Sequence, residues 1–100
     1  MTARHPTRFG ADEAEALATD ALGYLAADLE HLGRFLALAG IGPAELRDAA
    51  REPGFLVGVL EFYMAHESLL LSFCEARALR PTSIAAARYA LDGGSEGPLE

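Results

Sequence analysis

The segment Phe55–Cys74, FLVGVLEFYMAHESLLLSFC, constrains this chain more than any other. A membrane-spanning helix needs about 20 predominantly apolar residues, so the length alone permits a span. Glu61, His66, Glu67 and Ser68 interrupt it. An acid at bilayer mid-depth costs about 3 kcal/mol. The block therefore reads as two short core helices of a soluble protein, joined at Ala65-His66.

The surrounding composition narrows the class further. One hundred residues allow one domain with a modest core. The formal net charge is −7, and all eight basic residues are arginine. An acidic surface disfavours nucleic acid and anionic lipid. Cys74 is the only cysteine, so no internal disulfide can form, which suits a reducing compartment. The first residues, MTARHPTRFG, contain no apolar signal core. No membrane attachment is expected, and a cytoplasmic location is.

Punctuation along the chain divides it into three parts. Residues 1–10 read as a flexible arm and residues 93–100, rich in glycine, as a flexible tail. Residues 11–92 read as one helical domain. Asp12 and Glu15 form a capping-box-like pattern at the start of the first helix. Asp28 can cap a second helix, whose stripe is Leu29, Leu32, Phe35, Leu36 and Ala39. Gly40 is a natural left-handed stop, and Glu30 can pair with Arg34. Gly42-Pro43 opens a short third helix, with Leu46, Ala49 and Ala50 facing in. Glu52-Pro53-Gly54 and Arg80-Pro81 are further breaks, with Thr82 or Ser83 as the cap of a last helix carrying Ile84, Ala87 and Leu91. No β-branched run of period two is present. The fold class is all-α: a compact single-domain bundle of five or six short helices.

Projection at about 100° per residue sharpens the apolar block. Phe55, Leu56, Val57, Val59, Leu60, Phe62, Tyr63 and Met64 cover an arc of roughly 220°, leaving Gly58 and Glu61 outside it. This fourth helix is expected at the centre of the bundle, with Glu61 solvated. On the fifth, Leu69, Leu70, Phe73, Cys74 and Ala76 face in, and Ser68, Ser72 and Glu75 face out. Arg77 falls inside the apolar arc near the helix end, where its stem can pack and its head reach water or carbonyls.

Catalytic chemistry is not readable. His5, His31 and His66 have no ligand partner at helical spacing, and Leu70 stands where a metalloprotease helix needs its second histidine. Cys74 has no neighbouring base and reads as a small buried thiol. No phosphate or dinucleotide loop is present. No catalytic residue, metal or cofactor is assigned, and an enzyme is not expected.

The sharpest local motif is Leu38-Ala39-Gly40-Ile41-Gly42-Pro43-Ala44-Glu45-Leu46. It resembles a helix-hairpin-helix turn, whose backbone amides hold a nucleic-acid phosphate at a helix N-terminus. Gly40, Gly42, Arg47 and Arg51 are the candidate phosphate contacts. Against it, Pro43 lacks a donor, and Glu45 and Asp48 put acids in the first turn.

Three linked patterns carry a wider resemblance: Phe35-Leu36-x-x-x-Gly40-x-x-Pro43-x-x-Leu46-Arg47, Pro53-x-Phe55-Leu56-x-x-Val59-Leu60-x-Phe62, and Glu67-x-Leu69-Leu70-Leu71-x-Phe73. Together they resemble a family of small proteobacterial helical proteins catalogued as a domain of unknown function. The resemblance implies an all-α bacterial cytosolic protein, with an acid more usual at position 66 to cap the fifth helix. It implies no activity.

The functional expectation is a non-enzymatic protein-interaction or regulatory module. Its partner is another protein or a second copy in a homodimer. Weak nucleic-acid binding through Gly40-Ile41-Gly42-Pro43 is one alternative. A small-ligand carrier or enzyme whose site is assembled from distant residues is the other.

Overall fold

The structure is a computed structural model and describes residues 10–92. The expected tail, and the expected arm apart from Gly10, lie outside the described residues. Six α-helices follow one another: α1 (Ala11–Ala26), α2 (Leu29–Ala39), α3 (Leu46–Ala49), α4 (Pro53–Ala65), α5 (Glu67–Arg77) and α6 (Pro81–Leu91). A 3₁₀ turn, Pro43–Glu45, leads into the single turn of α3. No strand occurs among the described residues.

Helix α4 holds the centre, as its wide apolar arc predicts. Leu56, Val59, Leu60 and Tyr63 are fully buried, and Phe62 nearly so. Helices α1 and α6 pack along α4 and on each other, while α2 and α5 flank them. Ala14, Ala18 and Ala21 give α1 a buried small-residue stripe, which brings its neighbours close. Tyr63 reaches across and donates its hydroxyl to the Ala21 carbonyl at 2.6 Å. That bond satisfies the one polar atom Tyr63 takes into the core.

Helix ends follow the local chemistry, with corrections to the sequence reading. The box at the start of α1 is set two residues earlier than Asp12 and Glu15: Gly10 is the cap, and its amide donates to Glu13 Oε1 at 2.9 Å. Asp28 caps α2 by accepting from the Glu30 and His31 amides. Gly40 ends α2 at φ +76°, and Glu30 lies 3.8 Å from Arg34. Neither Thr82 nor Ser83 caps α6. Arg80 takes that place without a side-chain bond, Pro81 sits at the first turn, and Ser83 is buried.

A second group of differences concerns faces. Leu29 is 81% exposed and Met64 47%, because no element covers their sides of α2 and α4. Ala39 and Ala76 are exposed as well. Arg77 keeps its head at an exposed position, as expected, but on an acid rather than on carbonyls. Its Nε and Nη2 grip both oxygens of Asp20, at 2.8 and 3.0 Å, and its guanidinium stands 5.4 Å from the Tyr24 and Phe73 ring centroids. This ties α5 to α1 through paired charge and cation–π attraction.

At the α4–α5 junction the axes turn by 105°. No single helix among the described residues is long and apolar enough to cross a membrane. His66 makes the corner in an unforeseen way. It gives α5 no side-chain cap. Instead its Nδ1 donates to the Phe62 carbonyl at 2.8 Å, and its ring stacks on Phe62 at 4.0 Å. An acid there could cap α5 but could not close a carbonyl of α4. The next corner relies on Ala78 at φ +58°, with the Leu79 amide bonded back to Cys74.

Val59 is wholly enclosed whereas Leu70 is only partly so. Val59→Asp puts an unpaired charge into the core, at a cost on the order of 5 kcal/mol, comparable with the whole stability of a small domain. Loss of the cooperative urea transition, followed by circular dichroism, is the expected outcome. Leu70→Asp should retain the transition at a lower midpoint.

Candidate functional site

The surface between α2 and α4 is concave and apolar. Phe35 and Leu38 of α2 form one wall, and Phe55 and Phe62 of α4 form the other. Phe35 meets both α4 rings edge-on, at 5.4 and 5.3 Å, which fixes the spacing of the two helices. The floor is Gly54, Gly58 and Ala65, spaced along a single face of α4. A Cβ placed on Gly54 or Gly58 meets nothing within 4 Å, so the glycines leave open space rather than fill a tight contact. The cleft encloses about 440 Å³. Leu38, 72% exposed, stands on its rim.

Two polar groups mark its edge. His66 closes one end, its ring already committed to Phe62. Glu61 lies beside the floor and is not simply solvated, as the sequence reading has it. Arg88 of α6 donates to its Oε2 through both Nε and Nη2. The projection identifies Gly58 and Glu61 as the uncovered face of α4. What it misses is the aromatic wall contributed by α2, because Phe35 and Leu38 meet that face only through tertiary packing.

The residues of the hairpin motif are arranged differently from a phosphate clamp. The Gly40 amide donates to the Leu36 carbonyl. The Gly42 amide donates to Glu45 Oε1 at 2.7 Å, so the chain's own carboxylate holds the place of the anion. Arg51 lies 4.0 Å from Asp48, with both side chains well exposed. Arg47 is exposed and lies within the single-turn α3.

A second cleft, about 330 Å³, lies where the start of α2 meets α5 and is lined in part by Asp28, His31, Ser68 and Ser72. These residue types suit nucleophilic catalysis, but the bonds run elsewhere. Asp28 Oδ1 serves the cap of α2, and Ser72 is hydrogen-bonded to Tyr24. His31 Nδ1 lies 3.0 Å from Asp28 Oδ2 yet off the line of a hydrogen bond, and has no partner. Among the described residues, no hydrogen bond joins His31 to either serine, and no three metal-ligating side chains gather. Cys74 is buried, and burial pushes its thiol up from the ordinary value, so the reactive thiolate is disfavoured.

A family model described as "Protein of unknown function (DUF3572)" matches residues 11–94. The chain belongs to the DUF3572 family. The match spans all six helices and agrees with the resemblance carried by the three linked patterns. No curated protein and no solved structure matches this DUF3572 chain.

Two acids respond to pH in a defined direction. The Arg77 guanidinium hydrogen-bonded to Asp20 holds its carboxyl below the usual value; the His31 amide does the same for Asp28. A carboxyl lowered in the folded state adds stability above its unfolded value and loses it as pH falls through the folded one. The urea midpoint should therefore fall as the pH drops below about 4. Asp20→Asn should flatten part of that drop, modestly, because the Asp20 side chain is 43% exposed and screened. In the hairpin, Gly40→Ala should cost about 1 kcal/mol at its left-handed φ. Gly42→Ala, at φ −99°, should stay within about 0.5 kcal/mol in the same urea titration.

Proposed function

We propose that this DUF3572 chain is a non-enzymatic protein-interaction module that docks a partner in the groove between α2 and α4. The observation that carries the reading is an open apolar cleft with aromatic walls, a glycine floor and Leu38 standing out on its rim. Apolar surface of this kind on a small folded body is a docking feature rather than a packing residue. Asp28 and Ser72, two of the polar side chains that resemble catalytic groups, are engaged in capping and in a helix–helix bond. The single cysteine suits work in a reducing compartment such as the cytoplasm.

The phosphate-binding alternative has less support. Glu45 already occupies the Gly42 amide, and a net charge of −7 opposes a polyanion.

In-cell crosslinking tests the reading. A photo-reactive residue at Leu38 should yield a discrete adduct with another protein. The same group at Leu29, exposed but outside the groove, should yield none. An empty lane at Leu38, or the same adducts at both positions, would remove the groove as the docking site.

A further inference from the structure

The groove has a definite length, floor and electrical setting, and these narrow what can lie in it. From Gly54 to Ala65 it follows about 17 Å of α4 at 1.5 Å per residue, or three turns of a second helix laid alongside. The open space above Gly54 and Gly58 lets a backbone approach closely, and the phenyl walls offer pockets for side chains from successive turns. This is the geometry of an amphipathic helix in a groove, read by anchors at i, i+3 or i+4, and i+7.

Charge selects among helices. The only acid on the groove lining is Glu61, and it is half exposed. Within residues 10–92, six arginines face thirteen acids. Arg34, Arg77 and Arg88 are each paired with an acid of the same body. A second copy would bring another −7 against this surface, whereas a basic partner is drawn to it.

We propose that the groove receives one amphipathic helix from a basic protein, with large apolar side chains over Gly54 and Gly58 and a Lys or Arg against Glu61. This rests on the interaction-module reading and adds the occupant. The arginine or lysine shares the Glu61 carboxylate with Arg88, and the apolar anchors cover Leu38 and the partly exposed Phe55.

The test titrates ¹⁵N-labelled protein with a synthetic 18-residue peptide. The peptide carries Leu and Phe at i, i+4, i+7 and i+11, with Lys and Arg on the flanks. A matched peptide has Glu in place of every Lys and Arg. The basic peptide should shift the Gly54, Gly58 and Glu61 amides and weaken as salt rises; the acidic one should not bind. Gly58→Met fills the floor and, with nothing near its Cβ, keeps the fold. It should weaken binding about tenfold or more. Gly23→Met, an equally open glycine outside the groove, should leave binding unchanged. Glu61→Gln should weaken binding about threefold and flatten the salt dependence.

Equal binding of both peptides, failure of the basic one, or indifference to Gly58→Met overturns the proposal. So does a homodimer, seen by light scattering, that Gly58→Met dissociates. If the Leu38 crosslink forms while the basic peptide fails, the occupant is wrong and the module stands. If both fail, the groove itself is discounted.

Discussion

Helix α4 has one charged side chain in thirteen residues, and the rest of the structure follows from the need to cover it. A helix apolar on nearly every side cannot lie on a surface with one face wet. Its neighbours must surround it, so α1 and α6 take the two closest places and α2 and α5 the flanks. Small side chains on α1 and α6, among them Ala14, Ala18, Ala21 and Ala87, let this happen in a body of modest size. The strip left over is the strip without side chains, Gly54 and Gly58, and the apolar groove is the remainder of an incomplete enclosure.

Polar links hold the wrapped helices in place from outside. Arg77 clasps α5 to α1 through Asp20, Arg88 joins α6 to α4 through Glu61, and Tyr24 meets Ser72 across the α1–α5 seam. These bonds lie at exposed or half-exposed positions, where each contributes little to stability. Their value is in register, since they fix which turn of one helix faces which turn of the next. The Tyr63 bond to Ala21 is different, because it lies inside and its loss leaves a polar atom in an apolar setting.

Much of this was legible in the sequence. Glycine, proline and aspartate placed the breaks, and the helical spacing of Leu56, Val59, Leu60 and Tyr63 put α4 at the centre. Gly40 and Asp28 behaved as their types demand. What sequence could not show lies in the partners of long polar side chains. Arg77 and Asp20 are far apart along the chain and say nothing about each other until α5 is folded against α1. His66 was placed correctly at the junction, but its bond to the Phe62 carbonyl depends on a corner whose angle no local pattern encodes. The site was half visible. Gly58 and Glu61 appeared as a bare face of α4, but the walls made by Phe35 and Leu38 came from a helix whose placement is tertiary.

Cys74 sits at 3% exposure on the inner face of α5, its thiol pushed up by burial. An alkylating reagent can reach it only when α5 lifts from the body, or when the whole domain opens. The chain thus carries a built-in clock for that motion. The rate at which this one sulfur is modified measures how often the arch formed at the 105° corner loosens, without any label having been added.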